Sequence, residues 1–168
     1  MLVPGCLSCD ILAGRRAVPG GWIYQDEHWF VSSVVEPVVW PGFLVIVLKR
    51  HCEHVAELTA AEAGALGPLI QTTCRALTAV LRPAKVYVCS FGDGVKHIHF
   101  WALPRPAHMR PGMHPVMFNL DLRMTLTKRL GVRRWTLGER EITDMANALR
   151  EQFHRLLGTP SPATSTSS

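Results

Sequence analysis

Two histidines and a tryptophan alternate within one apolar segment near the middle of the chain. His97, His99 and Trp101 stand two residues apart among β-forming residues, so on a strand their side chains would face the same way. A buried imidazole is costly without a polar partner, and two on one face are hard to explain as packing. Because a neutral imidazole can bind a metal ion or act as a nucleophile, the segment predicts a chemically active site.

Further candidate ligands for a metal ion lie upstream of this segment. Cys6 and Cys9 form a Cys-x-x-Cys pair near the start of the chain, and His51 follows a lysine and an arginine. With one histidine of the central segment they would provide two thiolates and two imidazoles, a ligand set typical of structural zinc. The alternative is that both cysteines are ordinary loop thiols and that His51 lies on the surface. His54 could also replace His51 as a ligand.

Composition limits the classes of protein to which the chain can belong. With 168 residues, of which 48% are hydrophobic and 18% charged, we expect one globular domain with an appended segment. The lack of a long apolar run or a signal sequence predicts a cytoplasmic protein without a membrane partner, whose five cysteines stay reduced. The net charge of +5 suits an anionic ligand such as a phosphate ester. The basic residues are scattered, which argues against a nucleic-acid partner.

The pattern of apolar and turn residues predicts an α+β fold. A capping box of Thr59 and Glu62 begins a helix predicted over 60–81, and the first 21 residues are predicted to form a loop. We therefore expect an antiparallel sheet of about five strands with one long helix packed on it. The predicted strands cover residues 22–24, 29–35, 43–48, 86–91 and 97–103.

Beyond Arg105 the chain changes character, because a series of prolines interrupts the pattern of strands. We predict a helix over 116–130 and a second one that begins at a capping box of Thr136 and Glu139 and ends at Gly158. The predicted regions are a main domain over 1–105, a helical C-terminal extension over 106–158 and a disordered tail over 159–168.

The second predicted helix of the extension carries a continuous apolar face. That face must be buried, since each large apolar side chain gains roughly 1.5–3 kcal/mol on burial. We expect it to pack near the entrance to the pocket that contains His99, where it would shape substrate access. Packing on the far side of the sheet is the alternative. The face consists of Ile142, Met145, Leu149, Phe153 and Leu156.

Five short pieces of the sequence, in order and with matching spacing, resemble the zinc-containing members of the histidine triad (HIT) superfamily. The resemblance covers residues 6–105 and implies a HIT-like domain over 1–105 that forms a homodimer with sheets continuing across the interface. It also implies a structural Zn²⁺ ion held by Cys6, Cys9, His51 and His97. The five pieces are Cys6–Gly14, Pro41-Gly42, Lys49-Arg50-His51, His97-Ile98-His99 and Leu103-Pro104-Arg105.

The resemblance makes His99 and Trp101 the candidate catalytic residues. In the family, the histidine at the position of His99 attacks phosphorus and carries the nucleotidyl group as a covalent intermediate that water resolves. Trp101 stands where the third histidine of the triad normally lies, and indole can donate one hydrogen bond but cannot shuttle a proton. This departure suggests a leaving group that needs little protonation, or a different reaction. The alternative is that Trp101 only fills the pocket.

The expected nucleotide contacts also depart from the family pattern. Members usually carry a ribose-binding aspartate near the end of the second strand, and Glu36 is the carboxylate that could replace it. Their phosphate loop usually contains a glutamine, whereas this chain has a shortened loop with Gly92, Asp93 and Gly94. The glycines could expose N–H groups to phosphate, while Asp93 would repel phosphate unless a cation intervened. Separately, Arg133-Arg134 could clamp a phosphate or remain solvated.

We therefore expect a hydrolase or transferase that acts at a phosphorus atom of a nucleotide-like substrate through a covalent intermediate on His99. Two alternatives stay open. The chain could be a catalytically silent HIT protein that binds a nucleotide or another phosphorylated small molecule. It could instead be a structural or regulatory partner protein whose C-terminal helices dock another protein.

Overall fold

The computed structural model describes residues 2–35 and 37–158. Glu36, the expected ribose contact, and the tail over 159–168 lie outside the described residues. Among the described residues, no helix combines the length and hydrophobicity needed to cross a membrane.

The centre of the molecule is one antiparallel sheet of five strands in the order β1-β2-β3-β5-β4. The number of strands and the α+β class confirm the prediction from the sequence. The last strand begins two residues later than predicted, because His97 and Ile98 precede its pairing with β3 and β4. The strands are β1 Trp22–Gln25, β2 Trp29–Ser33, β3 Leu44–Leu48, β4 Lys85–Cys89 and β5 His99–Arg105.

Four helices and one 3₁₀ turn, Val55–Glu57, complete the described fold. The capping box that begins α2 is confirmed, since Thr59 Oγ1 accepts from the Glu62 N–H at 3.2 Å and Glu62 accepts from the Thr59 N–H at 2.8 Å. The prediction of a loop over the first 21 residues was wrong in part, because a short helix contains Cys9. The helices are α1 Leu7–Leu12, α2 Ala60–Leu81, α3 Met113–Leu130 and α4 Glu139–Leu157.

The predicted start of the last helix was also wrong. The N–H of Gly138 donates to the Glu141 carboxylate at 2.8 Å, so the first turn is capped two residues later than expected. Thr136 takes no part in this cap, because its N–H bonds to the Arg133 carbonyl oxygen and its Oγ1 has no hydrogen-bond partner among the described residues.

The sheet has two unlike faces, as the alternation of β3 shows. Leu44, Ile46 and Leu48 are buried in the cluster formed with α2 and α4. Val47 lies on the opposite face, in a cluster with Ile11 of α1. His99 pairs with Val47 in the register of β3 and β5, and therefore shares this second face.

The apolar face of α4 packs on the first of these faces. Its side chains join the cluster with α2 and β1, where Phe153 stacks on Tyr24 at a centroid distance of 5.2 Å. Arg150 adds a hydrogen bond of 2.8 Å to the Trp22 carbonyl oxygen. The expectation that this face lies at the entrance to the His99 pocket was therefore wrong. Helical periodicity identifies the buried side of a helix but not the surface that buries it.

The turn before β3 requires a glycine because α2 passes close to it. Gly42 has a φ of +72°, and a Cβ atom built there would lie 2.2 Å from Leu81 and 3.2 Å from Leu77. An L-side chain would be strained in this conformation and would push α2 away from the sheet. The Pro41-Gly42 piece of the sequence therefore has a packing role.

Replacement of one buried leucine of α4 should destabilise the fold without affecting the opposite face of the sheet. Leu149 is fully buried, so Leu149→Ala should lower the free energy of unfolding by about 2–5 kcal/mol. Leu157→Ala on the same helix is the matched control, because Leu157 is 40% exposed. Denaturant unfolding measures both variants. Equal losses would contradict the packing of α4 described above.

Candidate functional site

Four side chains from three separate segments converge at one end of the sheet. One ligand atom from each of Cys6, Cys9, His51 and His97 lies within 4.8 Å of all the others. Cys9 Sγ lies 3.4 Å from His51 Nδ1 and 3.6 Å from His97 Nδ1, and Cys6 Sγ lies 3.4 Å from His97 Nδ1. Ligands around one tetrahedral zinc ion are separated by roughly 3.3–3.8 Å. The spacing therefore fits a single ion of that size.

Hydrogen bonding and burial leave Nδ1 of His97 available to bind a cation. Its Nε2 lies 2.7 Å from the Leu48 carbonyl oxygen and must carry the proton to donate to it. Its Nδ1 then keeps a lone pair directed at the two thiols, as metal-binding histidines require. Burial lowers the pKa of His97, which keeps the ring neutral. Burial raises the pKa of the Cys6 thiol, so metal binding would have to release a proton there.

The segment that carries His51 is anchored to the start of α2. Arg50 donates two hydrogen bonds of 2.8 Å to the Glu62 carboxylate, and this guanidinium lowers the pKa of Glu62 to about 2. His51 itself lies 3.7 Å from the Glu53 carboxylate through its Nε2. His51, and not the exposed His54, belongs to the cluster with the cysteines.

His99 begins β5 directly beside this cluster. Its Nδ1 forms a hydrogen bond of 2.8 Å with the His97 carbonyl oxygen, which fixes the tautomer with the proton on Nδ1. The other nitrogen, Nε2, then carries the lone pair that a nucleophile needs. The half-buried side chain lines a cavity of about 430 Å³. This volume is within the range of small-molecule sites.

Trp101 forms one wall of the cavity together with other aromatic rings. It packs edge-to-face against Phe43 at 5.0 Å and Phe91 at 5.2 Å, and its centroid lies 6.4 Å from that of His99. These contacts support the interpretation that Trp101 fills space. The indole N–H forms no hydrogen bond with another described residue, and indole can donate one to a ligand.

The walls of the cavity are mainly apolar, and α3 supplies the charged groups. Of the lining residues, Asp121 and Lys128 carry a charge, and both come from this helix. The contribution of α3 to the site was not predicted from the sequence. Five lining residues of α3 follow helical spacing, a pattern that could have identified this helix as part of the site. The pattern is hard to recognise because Phe118 and Leu122 make the outer side of α3 apolar as well. The five residues are Met117, Leu120, Asp121, Met124 and Lys128.

A cation–π stack holds α3 over the cavity. The Arg123 guanidinium lies 4.8 Å from the ring centroid of Trp40 and 5.9 Å from that of Trp135. It also donates to the Val39 carbonyl oxygen at 3.3 Å. Partial burial lowers the pKa of Arg123, but a guanidinium stays charged at neutral pH. The stack therefore connects α3, the segment before β3 and the segment before α4.

The glycines and Asp93 of the expected phosphate loop and the arginine pair do not line the cavity beside His99. Val95 lines the cavity, whereas Gly92, Asp93 and Gly94 of the same loop do not, and Asp93 is exposed. Their contact with a phosphate stays a prediction. Of the arginine pair, Arg134 stacks on Trp135 at 4.8 Å.

Solved structures share this fold over nearly the whole chain. A HIT-like protein involved in cell-cycle regulation from Bartonella henselae is 12% identical, with a TM-score of 0.64 over 90% of this chain and 98% of that one. A zinc-bound histidine triad family protein from Mycobacterium smegmatis is 18% identical, with a TM-score of 0.64 over 92% and 96%. A hypothetical histidine triad nucleotide-binding protein from Sulfolobus tokodaii is 14% identical, with a TM-score of 0.66 over 90% and 93%.

A match between this sequence and a family model identifies the family of the chain. A search of curated proteins found no match. The model of the HIT domain matches residues 15–108, which is more than half of the chain. The matched residues include His51, His97 and His99, around which the candidate site is built. The chain therefore belongs to the HIT domain family.

Proposed function

We propose that the protein catalyses hydrolysis or transfer at a phosphorus atom of a nucleotide-like substrate, with His99 as the nucleophile. The observation that carries this proposal is the placement of His99, whose Nδ1 is held by the His97 carbonyl oxygen while the ring lines the cavity of about 430 Å³. Nucleotide binding is supported by membership of the HIT family and by the fold shared with a nucleotide-binding relative.

The proposed reaction has two steps. In the first, His99 Nε2 attacks phosphorus, a P–N bond forms, and the P–O bond to the leaving group breaks with both electrons going to that group. In the second, a water oxygen attacks phosphorus and releases a proton to the solvent, the P–N bond breaks, and the electron pair returns to Nε2. The ring is cationic between the two steps, so the His97 carbonyl oxygen would bind its Nδ1–H more strongly in the intermediate.

Trp101 determines which leaving groups this arrangement can serve. The indole N–H can stabilise an oxygen by a hydrogen bond but has no proton to transfer. We therefore propose phosphoanhydrides and aryl esters as the preferred substrates, because their leaving groups depart without protonation.

The metal site would support catalysis by holding the segments around His99 in place. The Cys6, Cys9, His51 and His97 ligands match the chemistry of Zn²⁺, and a relative with the same fold binds zinc. Zn²⁺, whose charge the two thiolates would neutralise, would supply a fixed link between three chain segments. Because the carbonyl group of His97 holds His99, the same link would position the nucleophile.

A silent binding protein is the second candidate. The packing of Trp101 against two aromatic rings in place of a proton donor favours it. The third candidate is docking of a partner on the C-terminal helices. The structure disfavours docking on the apolar face of α4, because that face is already buried within this chain. A cytoplasmic location and a homodimer stay predictions.

Protein purified without added metal should contain about one equivalent of zinc, by elemental analysis. Cys9→Ser should remove most of it and lower the unfolding temperature, because the ligands connect α1 to the sheet. Cys74→Ser is the matched control, since Cys74 lies on α2 outside the cluster. Folded wild-type protein with less than about a tenth of an equivalent would contradict the zinc site.

His99→Ala should leave the fold and zinc content intact and reduce turnover at least about a thousandfold, since the covalent nucleophile is lost. The measurement uses a panel of dinucleoside polyphosphates, nucleotide aryl esters and phosphoramidates. Acid quenching of the wild type followed by mass spectrometry should detect the nucleotidyl adduct. His54→Ala is the control, because His54 is exposed and outside the cluster. Full activity in His99→Ala would exclude the mechanism, and a wild type that binds but turns over none of these substrates would favour the silent binder.

Trp101→His should selectively improve substrates with basic leaving groups, because imidazole can donate a proton to them. Trp101→Phe keeps most of the packing but lacks any donor, and is the matched comparison. We expect the ratio of phosphoramidate to aryl-ester kcat/KM to rise about tenfold or more in Trp101→His and not in Trp101→Phe. An unchanged ratio in both variants would mean that position 101 does not act on the leaving group.

A further inference from the structure

A second cavity, of about 450 Å³, adjoins the one beside His99. The residues Pro37 and Lys128 line both cavities, so the two lie side by side along α3. Asp121 and Lys128 are seven residues apart, which places them about 10 Å apart along the helix axis. A ligand in the first cavity that reaches past Lys128 would enter the second.

The lining of the second cavity differs in character from that of the first. It contains Lys128, Arg133, Thr136 and one carboxylate, Glu139. Neither Lys128 nor Arg133 forms an ion pair with another described residue, and both are exposed to solvent. The Thr136 hydroxyl oxygen is buried and has no hydrogen-bond partner among the described residues. A polar atom in that state is unfavourable unless a ligand or water satisfies it.

The charges of this cavity favour an anion. Two unpaired cations outweigh the carboxylate of Glu139, and a guanidinium and an ammonium group are the side chains that bind phosphate most strongly. Two backbone segments of the cavity are joined, because the Leu137 N–H donates to the Val38 carbonyl oxygen at 2.9 Å. Thr127 does not compete for the ligand, since its hydroxyl group donates to the Val132 carbonyl oxygen at 2.9 Å.

We infer that the second cavity binds a second phosphate group of the ligand, through Lys128 and Arg133 with a hydrogen bond from Thr136. The inference rests on the proposed function, because it assumes that the reacting phosphorus lies at His99. The substrate class then narrows to nucleotides with two separated phosphate groups, one at His99 and one beyond Lys128. In the first cavity, the Asp121 carboxylate would repel an anion placed beside it.

Calorimetry with three nucleotides on the full-length His99→Ala protein tests the inference without turnover. Adenosine 2′,5′-bisphosphate or 3′,5′-bisphosphate should bind about tenfold or more tightly than adenosine 5′-monophosphate. The double variant K128Q/R133Q should abolish this ratio, and E139Q should increase it. The control R129Q/R140Q removes two positive charges from exposed positions that line neither cavity, and should retain the ratio.

A ratio near one for both bisphosphates in the parent protein would overturn the inference. So would a ratio that survives K128Q/R133Q or that is lost equally in R129Q/R140Q. If adenosine 5′-monophosphate fails to bind at all, the proposed function is contradicted but the second cavity is still tested with inorganic pyrophosphate. Pyrophosphate should then raise the unfolding temperature of the parent and of R129Q/R140Q, but not that of K128Q/R133Q. Equal shifts in all three proteins, or no shift in any, would overturn the second cavity as a phosphate site.

Discussion

The candidate site depends on how one buried side chain, His97, is held. Its Nε2 donates to the Leu48 carbonyl oxygen, its Nδ1 lies between the thiols of Cys6 and Cys9, and its own carbonyl oxygen accepts from His99. An imidazole without exposure to solvent would be strongly unfavourable if any of its polar atoms lacked a partner. The start of β5, the position of α1 and the orientation of the candidate nucleophile are therefore determined together.

The alternation of side chains on the strands separates stability from chemistry. One face of the sheet buries Leu44, Ile46 and Leu48 under α2 and α4, and this cluster contains most of the large apolar side chains. The other face carries Val47 and His99 and leaves a cavity, because α1 is short and α3 covers only part of it. A site that must admit a ligand cannot be packed to the density of a core, so the two requirements are met on opposite faces.

The sequence predicts the residues of the candidate site better than their surroundings. The four clustered side chains and His99 were identifiable because few residue types serve as metal ligands or nucleophiles and because their order matches the family. The short helix over Leu7–Leu12 was missed, since six residues form a stable helix only through tertiary contacts such as those of Ile11. The cap of α4 was misplaced because Thr136 and Glu139 match the capping pattern as well as the pair that forms it, Gly138 and Glu141.

The C-terminal extension adds to the sheet what the family core does not supply. The sheet presents Nε2 of His99 and an apolar wall, whereas the charged groups of the cavity, Asp121 and Lys128, come from α3. That helix is held by Arg123 between Trp40 and Trp135. The orientation of His99 and the charges of the cavity therefore depend on different elements. Changes in α3 can alter which ligand is bound while His99 keeps its orientation, because that orientation is determined by His97 on the sheet.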